Sequence, residues 1–349
     1  MKEYSALKAA WHIDRIADLR QGKDVAPTHL QIVISDLCNQ DCHFCAYRME
    51  GGFSTENFAD ESGNKNPRRM IPTFKVLEIL DDSAAMGCKA VEFTGGGEPT
   101  VHKDWQAIIG HAQALGMSTG LVTNGVRLDE RSIDVLRRLT WMRISLDAGE
   151  AHTYERIRRS KAWPKVMEAL QLAGSLKGPL VGVGFVVTQE NYGELHRAAE
   201  LVKKSGIAYM RVSAMFSNMG AGYYAGILDA VNVERKRAKA LEDETFKVVD
   251  FFGDRVQDLE QHAPDYSFCG YQQFTVYVGG NQKVYTCCTN AYTTHGEIGD
   301  LKNMRFADWV RDTRRLGFNA RTCHDCQFNQ ANRVLNYMVN PAPAHVDFV

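Results

Sequence analysis

The sequence predicts an α/β fold: a parallel sheet covered by helices on both faces, followed by a smaller C-terminal unit. Three observations predict it. Short apolar runs alternate with stretches of helical spacing from residue 29 to residue 215. The polar and glycine-rich sequences fall at the carboxyl ends of those runs. After residue 265 the alternation gives way to two strands around "GGNQ" and a closing helix. A chain of 349 residues is long for a single domain, so a large unit with a satellite is expected.

The elements follow in order. "HLQIVISD" (29–36) is a β-rich run that ends where the first thiols begin. "KVLEILDDSAAMG" (75–87) has helical spacing, and "KAVEFTGGGEPT" (89–100) is a strand running into a glycine loop. "DWQAIIGHAQALG" is a helix, "STGLVTNG" a strand, "DERSIDVLRRL" a helix capped near Asp129, and "WMRISLD" a strand. A helix near 161–174, the strand "GVGFVVT" (182–188), a helix over 191–205 and the strand "AYMRVSAM" (208–215) complete six strands. Residues 219–265 read as helix and connection. "YQQFTVYVGGNQKVYTCC" is a hairpin, and "CHDCQFNQANRVLNYMV" opens on a cysteine pair and becomes a short helix.

Lysine plus arginine number 41 against 42 acidic residues, so no global field favours nucleic acid or anionic lipid. The charged N-terminus lacks an apolar signal core and there is no apolar run long enough to span a bilayer, so a cytoplasmic location is expected. Nine cysteines in a reducing compartment suggest metals rather than disulfides, and their odd number argues against a fully paired framework.

Those cysteines fall into two groups. Cys38, Cys42 and Cys45 stand within eight residues of one polar loop; Cys269, Cys287, Cys288, Cys323 and Cys326 lie at the back, with Cys88 alone between. A structural zinc site takes four protein ligands and a cubane iron–sulfur cluster has four irons, so three clustered thiols leave a position for a non-protein ligand. A hairpin presents Cys269 before its first strand and Cys287 after its second, and the Cys323–Cys326 pair would close a cage. A zinc or iron site of rubredoxin type is the rival there. Cys288 could replace its neighbour Cys287, but adjacent strand residues point opposite ways; Cys287 is assigned as the ligand, with Cys288 as packing or a reserve. Cys88 reads as a core residue and His43 as a surface or supporting residue.

"CNQDCHFC", with Phe44 before the third thiol, resembles the Cys-x3-Cys-x2-Cys motif of the radical S-adenosylmethionine (SAM) superfamily, and the likeness runs over roughly residues 28–330. The resemblance implies a partial (β/α)6 barrel, TIM-like, with a small β-hairpin plus helix domain for an auxiliary cluster. It implies Cys38, Cys42 and Cys45 as ligands of a [4Fe–4S] cluster whose fourth iron takes SAM. "TGGGEPT" is similar to the family's glycine-rich segment, implying Gly95, Gly96, Gly97 and Glu98 at the SAM amino group. By the same resemblance Ser145 and Asp147 of "SLDA" lie near the ribose or methionine part. Asn124 is a further candidate, with an αL turn as the alternative, and Arg211 would meet a carboxylate of SAM or substrate or form a structural ion pair. The back group resembles the twitch domain, the short relative of the SPASM domain, implying a second [4Fe–4S] cluster on Cys269, Cys287, Cys323 and Cys326.

The expected organisation is a helical extension (1–27), the partial barrel (28–218), a helical connection (219–265), the auxiliary-cluster domain (266–335) and a tail (336–349). The expected activity is reductive SAM cleavage and oxidation of a small hydroxylated metabolite, served by a low-potential donor such as flavodoxin or ferredoxin. A peptide-modifying enzyme (cross-linking, oxidation or epimerisation) is the alternative, and a thiol-rich structural or nucleic-acid-binding module the competing class. The 28 residues before the first strand are too few for a winged leader-binding domain. Oxidation is expected because Cys88 and Cys288, the thiols able to return a hydrogen, read as buried. The glycine-bearing segment 48–70 reads as a mobile loop over the cavity mouth, with Tyr47, Phe53 and Tyr271 as cavity-lining candidates. Pro341 and Pro343 discourage a helix in the tail, whose Val346, Phe348 and Val349 are expected to pack back or meet a partner.

Overall fold

Ten strands join one sheet in the structure, a computed structural model that describes residues 4–340 and residue 344. Six are the expected parallel strands: β1 (His29–Ile32), β2 (Ala90–Phe93), β3 (Ser118–Thr123), β4 (Trp141–Ser145), β5 (Leu180–Val187) and β6 (Tyr209–Ala214). β7 (Lys247–Asp250) pairs parallel beyond β6, and β8 (Thr275–Val278) pairs parallel on the free side of β1. β9 (Lys283–Tyr285) and β10 (Glu297–Asp300) continue antiparallel from β8. The sheet curls into a partial (β/α) barrel with the hairpin and closing helix Asn329–Val339 as its C-terminal part.

Strand alternation sorts the side chains. Val91, Phe93, Met142, Ile144, Met210 and Val212 face the covering helices and are buried in one apolar core. Their neighbours Glu92, Arg143, Ser145, Arg211 and Ser213 sit at the other parity and are only half-buried, so they face the barrel interior. The outer helices, among them Thr73–Ala85, Trp105–Ala114, Trp163–Ser175 and Leu195–Lys204, bury apolar stripes against the first set. The helix expected near Asp129 begins there: the Asp129 side chain accepts from Arg131 N, and Ser132 Oγ returns a bond to Asp129 N at 3.1 Å. Cys88 is buried in the main core.

Three expectations change. The stretch 219–265 carries β7 as well as helices, because "KVVD" is four residues long and too short to stand out beside the flanking helical patterns. The hairpin is not separate from the barrel sheet: β8 is buried along its whole length because it lies beside β1. Segment 48–70 is packed rather than an open flap. Phe58 is fully buried, edge-on to Tyr292 at 4.9 Å and beside Tyr47 at 5.3 Å, and Arg69 donates to Asp36 Oδ2 at 2.9 Å. The expectations for Val346, Phe348 and Val349 lie outside the described residues.

Phe58→Ala removes a side chain that joins this segment to the back hairpin, and should cost about 3–5 kcal/mol. Urea unfolding should show a lower midpoint with an unchanged slope; a midpoint within experimental error of the parent would make the segment a loose flap after all.

Candidate active site

The cysteine loop that follows β1 is shaped by its own backbone and clamped by neighbours. Cys45 N donates to Cys42 O at 3.2 Å, and the amides of Arg48 and Met49 donate to Cys45 O at 2.9 Å. The Asn66 side chain bonds both backbone groups of Cys38 at 3.0 Å, and Arg48 reaches Asn66 Oδ1 and Gln40 O at 2.8 Å. Asn124, at the end of β3, donates to Asn39 Oδ1 at 2.7 Å and accepts from Val126 N at 3.1 Å. Its amide therefore braces the loop and shapes a local turn together.

The glycines of the β2 loop answer to that same cysteine loop. Gly97 N donates to Ser35 O and Glu98 N to Leu37 O. A Cβ on Gly97 would stand 2.3 Å from Leu37 O and 2.4 Å from the Asp36 carbonyl carbon, and one on Gly95 would stand 1.9 Å from Gly97 O. These are backbone collisions that only glycine avoids. Glu98 is 2% exposed and its carboxylate accepts from Thr100 N, Thr100 Oγ1, Thr123 Oγ1 and Asn124 N. The carboxylate thus ties β2 to β3 through Oε1, while Oε2 accepts only from Asn124 N and the residue still lines the cavity at the carboxyl ends of the strands.

The loop after β4 rearranges the expected roles again. Ser145 lines the cavity. Asp147, 2% exposed and at φ 60°, does not; it accepts from Val186 N at 2.6 Å and pairs with Arg158. Arg158, from the helix Ala151–Arg158, lines the cavity instead, 3.4 Å from Cys42 Sγ and over the Phe44 ring at 5.5 Å. Burial opposes its charge, but Asp147 and then Cys42 more than offset this and raise its pKa. Sequence reasoning missed Arg158; the available signal was a cation on the first helix after a strand-end loop already marked as polar.

Together these loops enclose a cavity of about 390 Å³ at the carboxyl ends of the strands. All three front thiols, Gly95–Glu98, Asn124, Ser145, Arg158 and Arg211 line it, as do Tyr47 and Phe53. Burial and then Glu98 push the Cys38 thiol up to about 12, and burial pushes Cys45 up to about 11. Metal ligation at either would therefore release a proton.

The back cysteines gather around a second, small void. Cys269, Cys287, Cys323 and Cys326 all line it, with Tyr271 stacked on Phe328 at 3.8 Å as part of its wall. Polar groups aim at the sulfurs: Asn290 Nδ2 lies 3.3 Å from Cys323 Sγ, and the Tyr266 hydroxyl 3.3 Å from Cys326 Sγ. Tyr271 thus faces this void rather than the main cavity. Cys288 is turned the other way and lines the main cavity, where Gln327 Nε2 donates to its sulfur at 3.0 Å. The reading of Cys288 as packing gives way to a thiol on the cavity wall. His43 makes a surface pair with Glu190 at 3.2 Å.

Comparison with known proteins agrees with this arrangement. The Radical SAM superfamily model matches residues 32–202, which run from β1 through the helix Leu195–Lys204. The chain belongs to the radical SAM superfamily. Its front cysteine loop falls within the matched residues, and the back cysteines form a second group of candidate metal ligands. A Pyrococcus furiosus relative, named tungsten-containing aldehyde ferredoxin oxidoreductase cofactor-modifying protein, is 23% identical over 331 residues, covering 87% of this chain and 88% of its own length. GTP 3',8-cyclase of Synechococcus elongatus is 26% identical over 193 residues; the match covers 54% of this chain and about half (55%) of the cyclase. Streptococcus suis SuiB, solved with its precursor peptide SuiA, shares the fold with a TM-score of 0.62 at 15% identity, over 86% of this chain and 69% of SuiB. Among the described residues no helix is long and apolar enough to cross a membrane.

Gly97→Ala should destabilise this radical SAM core by roughly 1–3 kcal/mol or more, because the new methyl meets backbone rather than a movable side chain. Gly193→Ala, where a Cβ would meet nothing within 4 Å, is the control. Equal thermal midpoints for the two variants would contradict the tight junction between the glycine and cysteine loops.

Proposed function

We propose that Cys38, Cys42 and Cys45 hold the [4Fe–4S] cluster of a SAM-dependent radical enzyme, and that Cys269, Cys287, Cys323 and Cys326 hold a second cluster. One observation carries the reading: the three front thiols and the cation Arg158 line the same cavity as Cys288, the neighbour of the back-void residue Cys287. The donor sets fit soft iron–sulfur chemistry, three thiols with an open side in front and four enclosing a void behind. A cluster held by Cys38, Cys42 and Cys45 would supply the electron for reductive cleavage of SAM and so the means of taking a substrate hydrogen.

The protein's own residues position the reactants. Arg158, fixed by Asp147, offers a guanidinium beside Cys42 for the SAM carboxylate. Glu98 Oε2, which accepts only from Asn124 N, and the backbone carbonyls of the glycine loop are the acceptors for the SAM ammonium. Ser145 stands at the end of β4 for a hydroxyl of the ribose.

For the substrate we favour a peptide. The fold likeness to SuiB, which carries a precursor peptide in the compared structure, covers most of the chain and supports this choice. A second reading, oxidation of a small polar metabolite, is supported by the cavity volume of about 390 Å³, which lies toward the lower end of ligand pockets (~300–1,000 Å³). The case for net oxidation loses its original ground, because Cys288 presents a thiol from which a hydrogen can be returned.

After anaerobic reconstitution, the parent should form 5′-deoxyadenosine from SAM under low-potential reduction. The Cys38→Ala/Cys42→Ala/Cys45→Ala variant should lose that product and keep about four irons, those of the back site. Product at the parent rate from the variant would overturn the front assignment; about four irons plus one zinc in the parent would overturn the second cluster. Stimulation of 5′-deoxyadenosine formation by sugar or cyclitol substrates, and by no peptide encoded beside the gene, would move the substrate to the second reading.

A further inference from the structure

Among the described residues two interior cations, Arg143 of β4 and Arg211 of β6, form no salt bridge, and Glu92 supports the charge of Arg143. Arg211, in the middle of β6, lines the main cavity one step below Ser213. It forms no salt bridge, and its buried Nε has no hydrogen-bond partner. Its aliphatic and π contacts are satisfied, since the guanidinium lies over the Phe251 ring at 5.3 Å. The carboxylate on the opposite side, Glu92 of β2, is engaged by Gln31 Nε2 at 3.1 Å and faces His29 at 3.8 Å. The nearest charged neighbours of Arg211 are themselves cations: Arg143 of β4, and Arg255, which is paired with Asp258 at 2.8 Å. Burial, with Arg143 and Arg255 after it, holds the Arg211 pKa down to about 10. The group is still charged at neutral pH, in a place where a lone charge is expensive.

A structural ion pair would have placed a carboxylate beside it. None is there among the described residues, and Arg211 lines the cavity. SAM does not account for the deficit: the proposed seat of its carboxylate is Arg158, which stands 3.4 Å from Cys42. Cys288, Thr289 and Gln327 line the same cavity as Arg211, and the Gln327 amide already bonds Thr289 Oγ1 at 2.6 Å. A guanidinium whose Nε has no partner, with no free acid near it among the described residues, makes a subsite for an oxyanion; the neighbouring Ser213 hydroxyl donates to Ala214 O at 3.1 Å.

We infer that Arg211 binds an anionic group of the substrate, a carboxylate or a phosphate, and so orients the substrate between the SAM end of the cavity and the Cys288 thiol. This rests on the reading of the cavity as the substrate site, but not on the cavity performing radical chemistry. On a peptide substrate the partner is an acidic side chain or a terminal carboxylate; on a small metabolite it is a carboxylate or phosphate ester.

The test is 19F NMR titration of the full reconstituted chain with trifluoroacetate and, separately, with fluorophosphate, alongside equilibrium dialysis with SAM. At least one probe should bind saturably. Arg211→Gln should weaken that binding by about tenfold or more, Arg211→Lys should weaken it less, and SAM affinity should stay within about twofold of the parent in both. Binding of trifluoroacetate alone assigns a carboxylate substrate, and binding of fluorophosphate alone a phosphorylated one. Absence of binding by both probes, unchanged binding in Arg211→Gln, or equal losses of probe and SAM would overturn the inference, the last by assigning Arg211 to SAM. Arg211→Lys keeps the charge if Arg211→Gln fails to fold. A parent chain that binds a probe through Arg211 but never binds SAM would leave the anion subsite standing and remove the proposed function.

Discussion

The parallel pairing of β1 with β8 is the constraint on which the site depends. It runs in register from His29 opposite Thr275 to Ile32 opposite Val278. β1 ends in the front cysteine loop, and β8 leads through a tight hairpin into β9 and then Cys287 and Cys288. Cys45 and Cys269 stand more than 220 positions apart in sequence, yet the loop after β1 and the segments flanking β8 and β9 belong to adjoining strands of one sheet. A hinge between a barrel and a tethered domain would let their separation vary; a shared ladder of backbone hydrogen bonds does not. The junction is reinforced by Asp36, fully buried, which accepts from Arg69 of the packed segment and from the Tyr292 hydroxyl of the back region. Breaking either partner would leave a buried charge short of compensation.

Strand alternation then divides labour at the hairpin's end. Adjacent thiols face different spaces, Cys287 the small void and Cys288 the main cavity. The same period of two places Arg211 and Ser213 inside the barrel while Met210 and Val212 hold the outer helices. Polar and charged groups are thus confined to the interior side. Their pairing is incomplete there because the cavity itself is where charge compensation is left to a ligand.

Much of this was legible from local pattern. The thiol offsets, the glycine run and the opposed directions of Cys287 and Cys288 depend on residues within a few positions of one another, and periodicity or spacing reads such features directly. The six barrel strands were legible for the same reason. What could not be read depends on tertiary placement. Glu98 is tied to Thr100, Thr123 and Asn124, a set of bonds that follows only once β2 and β3 are side by side. Arg158 reaches the cavity because Asp147 turns beneath it. Segment 48–70 has the composition of a loose loop, yet a single aromatic, Phe58, finds a fully buried place between Tyr47 and Tyr292.

The central claim is that two distinct iron–sulfur sites share this sheet and that SAM belongs to the front one alone. EPR of the reconstituted, reduced chain, recorded with and without SAM, tests it most directly. The account predicts two cubane signals, with SAM altering only the one that disappears when Cys38, Cys42 and Cys45 are replaced. A SAM effect on the signal that requires Cys269, Cys287, Cys323 and Cys326, or a single signal unaffected by SAM, would contradict it.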